Sequence, residues 1–68
     1  MKLPSNQTHQ ILQYFESDHL PDALATVSEQ CGELARKMAQ TLDGPELDTG
    51  LRKLLEAKDC FVRAALTQ

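Results

Sequence analysis

The sequence predicts an all-α fold, an antiparallel helical hairpin preceded by a short N-terminal helix. Three observations predict it. Apolar residues recur at alternating spacings of four and three along two long segments, the pattern of helices packed along their length. The prolines at positions 4, 21 and 45 stand where helices would begin, the place at which a fixed φ and a missing N–H do least harm. The turn Asp43-Gly44-Pro45-Glu46 is short enough to make the helices on either side antiparallel neighbours.

The leading helix is expected over about residues 5–17. Pro4 and Ser5 open it, with the serine as N-cap, and Ile11, Leu12 and Phe15 form a short apolar face. Ser17-Asp18-His19-Leu20-Pro21 then breaks the chain, because a proline disfavours helical backbone in the residue before it.

The second helix, about residues 21–42, carries two stripes. Leu20, Leu24, Val27, Cys31, Leu34, Met38 and Thr41/Leu42 form a heptad seam. Beside it Ala25, Ser28, Gly32, Ala35 and Ala39 form a row of small residues that lets another backbone come close. Glu29, Glu33, Arg36, Lys37 and Gln40 cover the solvent side, with Glu33 and Lys37 spaced for an i,i+4 pair.

Asp43 and Glu46 have the spacing of a capping box before the third helix, about residues 45–66. Leu47, Leu51, Leu54, Lys58, Phe61 and Ala65 repeat the four-three spacing, widened by Leu55, Val62 and Leu66. Gly50, Ala57, Cys60 and Ala64 again make a small-residue flank.

At 68 residues and 7.6 kDa the chain reads as one domain, residues 1–68. A chain of this size is marginal alone. The wide apolar face of the third helix and the small stripe of the second offer more contact surface than one hairpin uses. A homo-oligomer is therefore expected, with Gly32 and Ala35 at a close helix contact between protomers.

Composition excludes several classes. Seven Lys and Arg against ten Asp and Glu, a net charge of −3, argue against binding to a long nucleic acid. Apolar runs only a few residues long exclude a membrane span. No charged segment followed by an apolar one opens the sequence, so a cytoplasmic protein is expected. Cys31 and Cys60 read as reduced, buried thiols. His9 and His19 are isolated, with no second ligand at metal-binding spacing, so no metal is expected. Without a phosphate loop, a nucleophile elbow or a Ser-His-Asp or Cys-His arrangement, neither a cofactor nor enzymatic activity is expected.

The polar cluster of the third helix is Arg52, Lys53, Glu56, Lys58, Asp59 and Arg63. Arg52 with Glu56 and Asp59 with Arg63 are i,i+4 pairs, which suits a solvated face. Lys58 differs, because it interrupts an apolar stripe. It either snorkels past the seam or holds an ammonium at a subunit junction to meet an anion. For Tyr14 a stacking surface competes with core packing, while Phe15 reads as core.

The segment LRKLLEAKDCFVRAAL at 51–66, with HLPDAL at 19–24 and CGELA at 31–35, resembles the helical hairpin module shared by phage anti-CBASS and anti-Thoeris proteins. These are cyclic-oligonucleotide sponges. The resemblance, over about residues 19–66, implies a homo-oligomer, typically a hexamer, that sequesters cyclic di- or trinucleotide signals of bacterial defence without cleaving them. Gly32-Glu33-Leu34 matches the family's Gly-Glu-Leu, and Val62-Arg63-Ala64 its Val-Arg-Ala, whose arginine contacts ligand phosphate. Arg63 is thereby implied as the leading ligand-binding residue; the residues themselves add Lys58, from its place in the apolar stripe, and Asp59, one turn before Arg63 and spaced to orient the guanidinium. The family's dinucleotide pocket adds a tyrosine before the second helix, for which Tyr14 stands here in a shifted register. It also adds a lysine early in that helix, where this chain has Ala25 or Thr26. The arginine-based site is thus the better matched. The alternative reading is a small homo-oligomeric structural or protein-interaction module with no small-molecule ligand.

Overall fold

A computed structural model describes residues 5–68. Among the described residues the chain forms three helices and no strand: α1 (Asn6–Gln13), α2 (Asp22–Thr41) and α3 (Pro45–Leu66). No helix among them is long and apolar enough to cross a membrane.

The Ser5 side chain caps α1 by accepting from the Thr8 N–H at 3.1 Å. Pro4, expected to open the helix with it, lies outside the described residues. The helix stops four residues earlier than expected, at Gln13 instead of residue 17. Tyr14 and Phe15 close it with tight i→i−3 bonds to the carbonyls of Ile11 and Leu12. That early stop turns Phe15 inward and lets Ser17 reach α2, where its hydroxyl donates to Ser28 Oγ at 2.9 Å. The start of α3 is shifted as well: its N-cap is Gly44, not Asp43. Gly44 has a φ of 97°, a backbone region open to glycine and strained for other residues.

The core consists of Ile11, Phe15, Cys31, Ala35, Ala39, Leu47 and Leu51, with Leu12, Leu54 and Leu55 packed against it. On α2 the buried residues are Ser28, Cys31, Gly32, Ala35 and Ala39. Four of these belong to the small-residue stripe, so that stripe is spent inside the chain, which corrects the expectation that Gly32 and Ala35 lie between protomers. The reason is steric. The turn after α1 crosses α2 so closely that a Cβ placed on Gly32 would stand 3.1 Å from the Phe15 carbonyl oxygen. The outcome for the heptad seam is the reverse: Cys31 is buried, but Leu34, Met38 and Leu42 are exposed. Cys60, expected in the core, is instead exposed on α3, as is Ala64 of the same small-residue flank.

Gly32→Leu follows from the same geometry. The Phe15 carbonyl is backbone and has no rotamer to escape into, so overpacking should destabilise the fold by about 1–3 kcal/mol. Urea unfolding would read it as a lower midpoint with an unchanged slope.

Three polar clasps fix α1 to the other two helices. At its start Thr8 Oγ1 donates to Asp48 Oδ1, both residues being buried. Asp48 sits near the N-terminus of α3, where the helix dipole favours its negative charge. In the middle of the following turn lies the Ser17–Ser28 pair. At the end of α1 the Lys58 ammonium donates to the Tyr14 carbonyl at 2.8 Å. These bonds satisfy polar groups that the close approach removes from water, which is what allows a short and largely polar helix to dock.

Candidate functional site

Lys58 with Val62 and Asp59 with Arg63 form two adjacent i,i+4 rows along one side of α3. The segment between α1 and α2 lies over that flank. It is held by the turn bond from the Leu20 N–H to the Ser17 carbonyl, 3.0 Å. Together His19, Leu20, Lys58, Asp59, Val62 and Arg63 line a surface cleft of about 270 Å³. Leu20 and Val62, both half-buried, supply its apolar part, and the other four side chains supply its polar part.

Lys58 is the most constrained of them. The residue is 9% exposed, and three groups compensate its charge: the Tyr14 carbonyl, the Asp59 carboxylate at 3.7 Å, and the Phe15 ring with its centroid 5.9 Å from Nζ. Tyr14 is the C-cap of α1, so the ammonium meets the negative end of that helix and satisfies one of its free carbonyls. An ammonium has three donors. One is committed to Tyr14, and Asp59 lies within ion-pair distance of the same ammonium.

Asp59 is half-exposed and pairs with Lys58. The i,i+4 partnership with Arg63 expected from the sequence does not form, and Arg63 donates instead to Cys60 Sγ at 3.3 Å. A thiol is a weak acceptor, so the exposed guanidinium remains available to a stronger one. Among the described residues two cations, the tethered Lys58 and the exposed Arg63, against one carboxylate leave the cleft with an excess positive charge on a chain that is negative overall. A planar guanidinium beside an ammonium suits phosphate oxygens.

Of the four residues singled out from the sequence, Lys58, Asp59 and Arg63 come together in this cleft. Tyr14 joins them through its backbone, by the carbonyl bonded to Lys58. Its ring is not part of the lining and stands 60% exposed. His19 is the polar cleft residue that sequence reasoning passed over. Its isolation in the sequence argues only against a metal ligand, whereas its place in the cleft follows from the turn that carries it over α3. Among the described residues no group of three or more His, Cys, Asp and Glu side chains is arranged to hold a metal ion.

Comparison of the chain with protein-family models, with curated proteins and with solved structures finds no match in any of the three.

Proposed function

We propose that the chain is a ligand-sequestering sponge. In this reading it is a non-enzymatic, phage-encoded anti-defence protein of the host cytoplasm. As a homo-oligomer of antiparallel hairpins, with the hexamer as the expected form, it binds cyclic di- or trinucleotides without cleaving them. The observation that carries the reading is the convergence of Lys58, Asp59 and Arg63 on one cleft. Arg63 takes the leading role, because its fork of donors is exposed and only weakly engaged.

The size of the cleft argues for repetition. At about 270 Å³ it falls just short of the roughly 300–1,000 Å³ of sites that enclose a whole small molecule. It suits one phosphate with part of its sugar, so a cyclic trinucleotide calls for several clefts related by symmetry. Repetition also reconciles phosphate binding with a net charge of −3, since each cation acts several times over. The hairpin is supported by which residues share grooves. Val27 and Gln30, early in α2, line one with Phe61 and Ala65, late in α3, and Met38 and Leu42 line the next with Leu47 and Leu51.

Thermal shift against a panel of cyclic di- and trinucleotides tests the reading. At least one should stabilise the wild-type protein. Arg63→Ala should remove that shift with the oligomer intact, since a charged hydrogen bond to phosphate contributes on the order of 1.5–3 kcal/mol and the loss recurs in every protomer. Arg63→Lys should restore little, because a point charge does not replace the fork. If no member of the panel stabilises the protein, the sponge reading fails. The second reading, a homo-oligomeric interaction module without a ligand, then takes its place. One observation favours it independently: Leu34, Met38, Leu42 and Phe61 leave an apolar strip uncovered.

A further inference from the structure

That strip is continuous. Two grooves, of about 540 and 300 Å³, run end to end along the line where α2 meets α3, and Leu34 and Leu54 line both. Leu34, Met38, Leu42 and Phe61 are 46%, 37%, 50% and 54% exposed. Glu46, at one end, is the single charged side chain lining either groove among the described residues.

We propose that this face docks a second copy of the chain, with a two-fold axis running across the helices at Leu34 and Leu54. The inference rests on the self-association contained in the reading above and deepens it by assigning the face. Area supports it. A helix of 20 residues is about 30 Å long, and two helices side by side make a face about 20 Å wide. The product, roughly 600 Å², approaches the ~800 Å² per partner of a standard interface.

Charge selects the arrangement. With the axis across the helices, α2 stacks on α2 and α3 on α3 in opposite directions, and Leu34 and Leu54 each meet their own copy. The two Glu46 carboxylates then stand about 24 Å apart at 1.5 Å of rise per residue, beyond the ~8–10 Å over which salt leaves such charges interacting. An axis along the helices would set them against each other. In the same crossing Phe61, seven residues beyond Leu54, falls opposite Leu47 of the other copy, an apolar pairing, and Leu42, eight residues beyond Leu34, falls opposite Thr26. The cleft that holds Arg63 shares no lining residue with either groove, so the ligand site and this interface can be altered separately.

Sedimentation velocity with site-directed cross-linking tests the assignment. Wild-type protein should self-associate, and Leu34→Glu or Phe61→Ser should lower the mass at least twofold with far-UV helicity retained. Leu34→Cys in a Cys60→Ser background should form an interchain disulfide under mild oxidant, because the axis brings the two thiols together; this readout does not depend on the charged variant folding. Self-associated wild type whose mass Leu34→Glu leaves unchanged, or a Leu34→Cys protein that does not cross-link, would overturn this face and leave self-association standing. A monomeric wild type would overturn both. Absence of cyclic-nucleotide binding with a mass drop in Leu34→Glu would remove the sponge and keep the interface.

Discussion

Phe15→Ala is expected to lower stability by about 3–5 kcal/mol and to release α1 from the rest of the chain. Phe15 is 1% exposed and is the largest fully buried side chain. It belongs to the turn after α1, yet it fills the space among all three helices. Its carbonyl lies against Gly32, its ring faces the Lys58 ammonium, and its neighbours in the core include Ile11 and Leu51. Truncation would open a cavity that the surroundings are poorly placed to refill. Gly32 has no side chain to move in, and Lys58 is tethered to Tyr14. At about 0.05–0.15 kcal/mol per residue a chain of this length has roughly 3–10 kcal/mol in total, so the loss takes a large part of it. The measurement is denaturant unfolding at matched protein concentration, since self-association adds its own stability. Amide exchange should show α1 opening first. A cost under 1 kcal/mol would mean that the aromatic ring is not the keystone of the α1 contact.

The sequence carried the helices well and their partners less well. Periodicity and caps located α2 and α3 closely, because a four-three repeat over about 20 residues has one reading. What repetition does not encode is which of two adjacent stripes faces inward. The heptad stripe of α2 holds the larger side chains and by hydropathy alone takes the core. The small stripe takes most of it instead, since a third element, the turn at Tyr14 to Ser17, comes close against α2 at Ser28 and Gly32. That choice depends on contacts between residues 11 and more positions apart, such as Ser17 with Ser28, and no local pattern states it. The misplaced helix end has the same origin: residues 14–17 have helical composition but are drawn away by tertiary bonds.

The candidate site was legible where a residue broke its own pattern. Lys58 interrupts an apolar stripe, and instead of snorkelling out to solvent it is buried, its ammonium bonded to a backbone carbonyl. Its partner was invisible, because the Tyr14 carbonyl is a backbone group 44 residues away. Asp59 and Arg63 were paired by spacing alone, but the buried ammonium next door competes for the carboxylate and takes it. An exposed i,i+4 pair contributes only a few tenths of a kcal/mol, so it yields readily to such competition.

Lys58 therefore carries the second large effect, and its variants separate a fold role from a ligand role. Lys58→Met keeps most of the stem but leaves the Tyr14 carbonyl without its donor and Asp59 without its partner. Leaving this part-buried acceptor unpaired costs at most the roughly 1–3 kcal/mol of a fully buried one. Lys58→Ala also removes the aliphatic stem, at about 0.8 kcal/mol for each buried methylene, for a total of about 3–5 kcal/mol. Both losses should appear without any ligand, and amide exchange should place them at the C-terminal end of α1, where the ammonium opposes the helix dipole. Lys58→Arg keeps the charge but lengthens and flattens the head, so it should recover part of the stability without recovering the geometry of the bond to Tyr14. If Lys58 acted only on a phosphate, ligand-free stability would be the same in Lys58→Met as in wild type, and only the cyclic-nucleotide thermal shift would change. The opposite outcome is expected. Stability falls first, and ligand binding weakens with it, because the residue that fastens α1 also lines the cleft beside Arg63.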